Sequence, residues 1–331
     1  MSDDGFFPFP ISHYPLPVTM KPEILVTKPI YAPTLAQLER EYTVHKLWTA
    51  RDPDAFIKEV SGNVRGVVTT GLAGLSRAQM EALPGLEIIA SFGNPRGTVD
   101  LAAAKERGVV VTNTPDYIST IVADLALGLL IAAMRCIAEG DRFVRAGKWP
   151  QGPIAPGCDL AGKTCGIVGL GRIGRGIAAR VQACGMSVCY HGPHRKDDVS
   201  YPYYPDLEAM ARESDCLVVI CPLTPATRNL VDARILDALG PESFLVNVAR
   251  GPVVNREALI AALREKRIAG AGLDVFWDEP RVPPELAVME NVVLTPHMGS
   301  ATREIREERG RKVLANLRAH FAGKPVLTPI T

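Results

Sequence analysis

The sequence predicts an α/β protein of two domains, each built on a parallel sheet wound with helices. Three observations carry that expectation. The chain has 331 residues, enough for two separate cores at about 150 residues per domain. Hydrophobic residues make up 47% of it and 37 Lys+Arg nearly balance 36 Asp+Glu, a globular composition rather than a disordered one. Short β-branched runs alternate with helical patterns from Pro22 onward, the βαβ rhythm of parallel sheets.

In the first series the strand candidates are Glu23–Val26, Gly66–Thr69, Leu86–Ala90 and Val109–Thr112, with helical patterns over Leu35–Thr43, Ser76–Ala82 and Leu101–Arg107. One long helix is expected from about Ser119 to Ala146, then a loop rich in Gly and Pro over Gly147–Gly157. The second series is longer, with candidates at Cys165–Gly169, Met186–Tyr190, Cys216–Ile220, Phe244–Val248, Ala271–Val275 and Val292–Leu294. Strands separated in this way by helical segments point to a doubly wound dinucleotide-binding domain. A last helical pattern runs from Thr302 to Phe321. The expected division is residues 1–118 with 303–331 in one domain and residues 119–302 in the other.

Composition excludes several classes. A net charge of +1 argues against a nucleic-acid binder, which carries a basic excess to neutralise phosphates. The densest basic cluster, Arg303 to Arg311, is laced with Glu304, Glu307 and Glu308 and reads as a solvated helix face. The cysteines, Cys136, Cys158, Cys165, Cys184, Cys189, Cys216 and Cys221, include no C-x-x-C pair, and several lie in apolar runs. They read as reduced core thiols, with neither a disulfide framework nor a zinc site suggested. The N-terminus is acidic and Pro-rich, without the basic start and apolar stretch of a signal peptide, so a cytoplasmic location is expected. The most apolar segment, Ile121–Met134, contains Asp124 and falls short of the roughly 20 residues that span a bilayer. It is expected to be a buried helix.

Gly169-Leu170-Gly171-Arg172-Ile173-Gly174 is a G-x-G-x-x-G motif that follows an apolar strand and opens a helix over Arg172–Cys184. In that context Gly169 makes the tight turn, Gly171 lets the backbone approach a pyrophosphate, and Gly174 lets the helix pack on the strand. Free N–H groups at the helix start attract the phosphates. The next strand ends at Tyr190, where an NAD-selective domain places an acid against the ribose 2′-hydroxyl. This chain has His191 instead, followed by His194, Arg195 and Lys196. Donors without an intervening acid suit a 2′-phosphate, so NADP(H) is favoured and NAD(H) remains possible. The alternative is a solvated loop whose charge Asp197 and Asp198 cancel.

Downstream stand Asn247-Val-Ala-Arg250-Gly-Pro, Gly270-Ala-Gly-Leu-Asp274-Val-Phe-Trp-Asp-Glu279-Pro and Leu294-Thr-Pro-His297-Met-Gly-Ser300. With Val111-Thr-Asn-Thr-Pro115, Val122-Ala-Asp124, Gly162-Lys163-Thr164, Cys221-Pro-Leu-Thr-Pro225 and Gly323-Lys-Pro325, they make the chain resemble the D-2-hydroxyacid dehydrogenases from about Val64 onward. Within that superfamily it most resembles the glyoxylate/hydroxypyruvate and hydroxyphenylpyruvate reductases. The resemblance implies a Rossmann-type cofactor domain, a smaller flavodoxin-like α/β substrate domain, and reduction of a small 2-oxo acid to the D-2-hydroxy acid.

The resemblance also implies a triad, and each position has its own chemical reason. Reduction of a 2-oxo acid needs a hydride at the carbonyl carbon, a proton for the oxygen, and a cation for the carboxylate and developing oxyanion. Arg250, at the carboxyl end of a strand, fits the cation. His297 fits the acid, and Glu279 would hydrogen-bond its imidazole and fix the tautomer. Asp274 resembles the family residue beside the nicotinamide, and Cys221 and Pro222 match the segment bordering the cofactor. Thr227, Val248, Ala249 and Gly299 are counted with them as cofactor neighbours. The helix from Ser119 resembles a dimerisation element, which implies a homodimer. His13, His45 and His320 read as structural or surface residues, and Trp149 and Trp277 as packing residues.

One segment departs from the family pattern. The loop after the third N-terminal strand usually offers successive N–H groups to the substrate carboxylate, and here reads Ser91-Phe-Gly93-Asn94-Pro95-Arg96-Gly97. Pro95 has no N–H, so Asn94 or Arg96 is one candidate replacement, with Gly93, Arg250 and His297 completing the expected substrate contacts; the alternative is that Arg96 points to solvent and the neighbouring amides with Arg250 suffice. Two other readings stay open: an NAD-dependent enzyme acting on another 2-hydroxy acid, and a cofactor-sensing binding protein like the corepressors that share this fold.

Overall fold

The computed structural model describes residues 20–71, 73–95, 97–114 and 118–331. The chain divides into two compact units, Met1–Pro115 with Arg306–Thr331 and Asp116–Ile305.

The first unit holds a five-stranded sheet of β1 (Glu23–Val26), β2 (Thr43–Lys46), β3 (Val64–Thr70), β4 (Ile88–Phe92) and β5 (Val110–Thr112), in the order β2-β1-β3-β4-β5. Every pairing is parallel, which is the flavodoxin-like winding. Alternation along the strands sends Leu25, Val67, Ile89 and Val111 into one core cluster and Ile24, Val26, Val68 and Ile88 into another. The second cluster is closed by Val313, Leu314 and Leu317 of the final helix, Arg303–Phe321.

Two elements differ from the sequence expectation. The helix expected over Leu35–Thr43 is Ala32–Glu41, and Thr43 starts β2 after Tyr42 turns extended at φ −130°. β2 is an edge strand without a fully buried residue, so it lacks the apolar run that marks a strand. A further helix, Pro53–Val60, begins where the Asp52 carboxylate accepts the N–H groups of Asp54 and Ala55, an N-cap with Pro just inside it.

The second unit holds a seven-stranded sheet of β6 (Thr164–Val168), β7 (Ser187–His191), β8 (Tyr203–Tyr204), β9 (Cys216–Val219), β10 (Phe244–Asn247), β11 (Gly270–Leu273) and β12 (Val292–Leu294). Its order is β12-β11-β10-β9-β6-β7-β8 and all pairs are parallel. Chain direction through the sheet reverses between β6 and β9, the crevice where doubly wound sheets bind ligands. β8, a two-residue edge strand, is too short to show a pattern in sequence.

The expected helix Ser119–Ala146 is instead two, Ile118–Met134 and Ile137–Arg145, bent by 61°. The Met134 carbonyl, which a continuing helix would pair four residues on, accepts the N–H of Cys158 at 2.7 Å. Cys136 then takes φ +53° and its carbonyl starts the second helix through Gly140. The first helix is buried through Val122, Ala123, Ala126, Leu129, Leu130 and Met134. Among the described residues no single helix is long and apolar enough to cross a membrane. In the basic cluster of the last helix, Arg311 and Lys312 both pair with Glu308.

Candidate active site

Parallel pairing puts the carboxyl ends of all seven strands of the second unit on one edge, and the predicted site residues of that unit are distributed along it. After β6, Gly169 adopts φ +107° and its N–H donates to the His191 carbonyl at 2.9 Å. A Cβ on Gly169 would lie 2.9 Å from the backbone of Cys221, so the loops after β6 and β9 touch at the switch point. A Cβ on Gly174 would fall 2.2 Å from the Gly169 carbonyl oxygen, whereas one on Gly171 would meet nothing within 4 Å. The third glycine therefore serves packing and the second leaves open space above the helix Arg172–Ala183. That helix has no side-chain cap, and Arg172 at its first turn is exposed while Ile173 packs against the core. Open room over uncapped N–H groups fits a pyrophosphate.

At the end of β7 the His191 Nδ1 lies 2.9 Å from the Tyr204 carbonyl; a carbonyl can only accept, so Nδ1 carries the hydrogen. His194 and Arg195 are exposed and Lys196 is half-buried, with the Lys196 N–H donating to the Tyr190 hydroxyl at 2.6 Å. Asp198 pairs with Arg175 at 2.8 Å, and its carboxyl is held below the usual range first by that guanidinium and, more weakly, by the charge of Lys196. Among the described residues no ion pair engages Arg195 or Lys196. Cys221 is buried, which pushes its thiol up to about 11, so it borders the crevice as a neutral group. Beyond exposed Pro222, the Thr227 hydroxyl donates to the Pro222 carbonyl and accepts from the Thr224 N–H, each at 2.7 Å, and so closes its own loop.

After β10, Val248 and Ala249 are buried and Arg250 is exposed. Asn247 accepts the Ala249 N–H at 3.0 Å and donates to the Arg250 carbonyl at 3.1 Å. The Arg250 guanidinium donates to the Ala249 carbonyl at 2.6 Å, which leaves most of its five N–H donors for an anion. Gly251 explains why glycine follows: a Cβ there would sit 2.2 Å from the carbonyl carbon and oxygen of Phe276. The chain passing over Gly251 leads directly to Glu279.

Glu279 accepts the Phe276 N–H through Oε1 at 2.9 Å, and its Oε2 lies 2.5 Å from His297 Nδ1. A carboxylate only accepts, so Nδ1 carries the hydrogen and Nε2 is left for other chemistry. Both side chains are about one-quarter to one-third exposed, 26% and 30%. His297 has φ +50°, a left-handed conformation that costs a bulky residue on the order of 1–3 kcal/mol. Asp274, 2% exposed, holds that turn. Its Oδ1 accepts from the Thr295 hydroxyl at 2.6 Å and the Met298 N–H at 2.8 Å, and its Oδ2 from the Gly299 N–H at 2.8 Å. Sequence reasoning set Asp274 and Gly299 beside the cofactor and did not foresee this bracing, nor the parts of Asn247 and Gly251. The N-x-x-R-G pattern was the available signal for the last two.

In the first unit, Gly93 has φ +132° and its carbonyl accepts the Thr114 N–H at 3.3 Å. Asn94 is exposed. Pro95 is buried and its carbonyl accepts the N–H groups of Thr98 and Val99. Arg96 lies outside the described residues, as does His13. His45 and His320 are held by Glu23 at 2.7 Å and Glu87 at 3.0 Å. Trp277 donates to the Val254 carbonyl and packs on the core, but Trp149, expected to pack, is 68% exposed in the 3-10 turn Trp149–Gln151. It follows a helix whose nine residues include none that is buried, so the chain offers it no core. Four of the cysteines are buried and Cys136, Cys158 and Cys184 are half-buried; all seven are free thiols.

Comparisons with known proteins show what the chain is similar to. The chain is 45% identical over 294 residues to a glyoxylate/hydroxypyruvate reductase A of Arabidopsis thaliana, covering 89% of this chain and 94% of the relative. It is 40% identical over 313 residues to a 2-ketogluconate reductase of Gluconobacter oxydans, covering 95% and 100%. Among solved structures it matches the NADPH-dependent glyoxylate/hydroxypyruvate reductase of Sinorhizobium meliloti in complex with NADP and malonate, with TM-score 0.82, 39% identity and coverage of 94% and 97%. The sequence model for the D-isomer specific 2-hydroxyacid dehydrogenase NAD-binding domain matches residues 127–299, the stretch that carries the glycine motif, Arg250, Glu279 and His297. On the relatives and on that match, the chain is an oxidoreductase belonging to the D-isomer specific 2-hydroxyacid dehydrogenase family.

Proposed function

We propose that the protein reduces a small 2-oxo acid of the glyoxylate/hydroxypyruvate type to the D-2-hydroxy acid, with NADPH as the favoured reductant. The observation that carries this reading is the Glu279–His297 hydrogen bond on the same sheet edge as Arg250 and the glycine motif. The chemistry a nicotinamide dinucleotide supplies when bound is the hydride for the carbonyl carbon. Gly169, Gly171, Arg172, Ile173 and Gly174 would hold its pyrophosphate side, with Cys221, Pro222, Thr227, Val248, Ala249, Asp274 and Gly299 along the crevice. His191, His194, Arg195 and Lys196 would face the ribose, where Arg195 and Lys196, neither in a direct ion pair among the described residues, favour a 2′-phosphate.

Arg250 holds the substrate carboxylate in a bidentate grip and stabilises charge growing on the carbonyl oxygen. With Nδ1–H bound to Glu279, the His297 imidazolium gives the Nε2 proton to that oxygen, and the neutral ring takes a proton back in the reverse direction. Gly93, Asn94 and Arg96 are the residues of the first unit assigned to the substrate. Supporting the substrate class are the names of the relatives, glyoxylate/hydroxypyruvate reductase above all. We also assign the protein to the cytoplasm, and to a homodimer through the exposed apolar residues Ile137, Val144 and Trp149, which a second copy would cover. The test is the rate of NADPH oxidation by purified protein with glyoxylate and hydroxypyruvate. Turnover at about one per second or faster is expected of an enzyme, and binding without turnover would favour the sensor reading.

A further inference from the structure

We propose that Asn247 is a positioning residue for Arg250, an assignment that rests on the reductase reading above. Asn247 ends β10 and is 1% exposed, so its amide must find partners inside the protein. It finds them on both sides of one peptide plane. Oδ1 accepts the N–H of Ala249 and Nδ2 donates to the carbonyl of Arg250. The peptide between those two atoms carries the Ala249 carbonyl, on which the Arg250 guanidinium rests. One side chain thus sets the plane that aims the cation.

The support runs back into the sheet. The Asn247 carbonyl accepts the Asp274 N–H at 3.0 Å, and the Val248 N–H donates to Val219 at 3.2 Å. Arg250 itself has an ordinary extended backbone, φ −144° and ψ 143°, so neither glycine freedom nor strain holds the turn. Only an amide supplies both an acceptor and a donor with this shape: Asp lacks the donor, and Ala or Leu lacks both.

The test compares Asn247→Ala in the parent and in an Arg250→Ala background. In the parent, kcat/KM for hydroxypyruvate should fall by about 100-fold, the size of a 1 Å misplacement, with KM for the 2-oxo acid raised and NADPH affinity little changed. In the Arg250→Ala background the same substitution should cost less than about threefold, because residues acting through one another are not additive. Equal losses in both backgrounds, or a matching loss of NADPH affinity, would overturn the assignment. Asn247→Ser, whose hydroxyl can still accept the Ala249 N–H without burying a charge, should recover part of the loss and covers the case in which the alanine variant does not fold. Absence of turnover in the parent would defeat the reductase reading alone. The rate at which phenylglyoxal modifies Arg250, followed by peptide mass spectrometry, still reads the inference then. That rate should rise severalfold in the Asn247 variants, and an unchanged rate would contradict the proposal.

Discussion

The backbone N–H of Asp274 donates to the carbonyl of Asn247 over 3.0 Å, where β11 runs beside β10. Each of these buried polar residues also braces the turn beyond a strand end: Asn247 the turn of Arg250, and Asp274 the turn of His297. The two side chains proposed for the chemistry are exposed or partly exposed, yet each is mounted on a fully buried bracket tied to the other through the sheet. Exposed groups held by rigid buried partners are what precise positioning requires.

The two glycines Gly171 and Gly251 should separate binding from stability. A methyl group at Gly171 meets no protein atom within 4 Å, so Gly171→Ala should leave the melting temperature nearly unchanged and weaken NADPH binding by filling the room above the helix. At Gly251 the methyl group collides with the Phe276 backbone at 2.2 Å. Gly251→Ala should destabilise the fold by about 1–3 kcal/mol and lower turnover as the segment carrying Glu279 shifts. Thermal melts with fluorescence titration of NADPH distinguish the two; equal behaviour of the variants would contradict this account.

Asp274→Asn should leave an amide facing N–H groups that now meet a carboxylate oxygen. Loss of a charged acceptor for the Met298 and Gly299 amides costs about 1–3 kcal/mol, and the left-handed His297 turn loses its brace. The expected result is a lower melting temperature together with reduced kcat. A variant as stable and as fast as the parent would show that the turn holds itself.

Arg195→Ala should weaken NADPH far more than NADH, because a 2′-phosphate gives a guanidinium two charge-assisted hydrogen bonds that a hydroxyl cannot. Binding constants for both cofactors measure this. A parallel loss would mean that the loop positions the ribose without reading the phosphate.

Acid sensitivity should reside partly in the first unit. The Arg318 guanidinium hydrogen-bonds Glu41 at 2.7 Å and holds its carboxyl below the usual carboxylate range. A depressed folded value means that the stabilisation is full at neutral pH and is lost as pH falls through that value. Glu41→Gln should therefore cost about 0.5–1 kcal/mol near pH 7 for a partly exposed pair, with the difference shrinking below about pH 4. Melts across that range test the sign, and a penalty that grows on acidification would refute it.

Much of this was legible in the sequence because local rules and the global fold agree. The strands Glu23–Val26 and Val292–Leu294 were read to the residue, and the glycines of the motif have the three geometries their spacing implies. Tertiary contacts concealed the rest. Cys158, far along the chain, takes the Met134 carbonyl and breaks a helix whose composition is continuous. Thr43–Lys46 becomes a strand only because β1 lies beside it. The N-x-x-R-G pattern marks Asn247 and Gly251, but their parts, room for the passage of Phe276 and two hydrogen bonds across the Arg250 turn, are tertiary and visible only in the fold.

The most direct test of the central claim is the steady-state rate of hydroxypyruvate reduction by NADPH, for the parent and for His297→Ala at matched cofactor saturation. Ready turnover is expected in the parent, with a fall in kcat of about 100- to 10,000-fold in the variant, the usual contribution of a positioned acid, and NADPH affinity nearly unchanged. Equal rates in the two proteins would remove His297 from the mechanism and contradict the account.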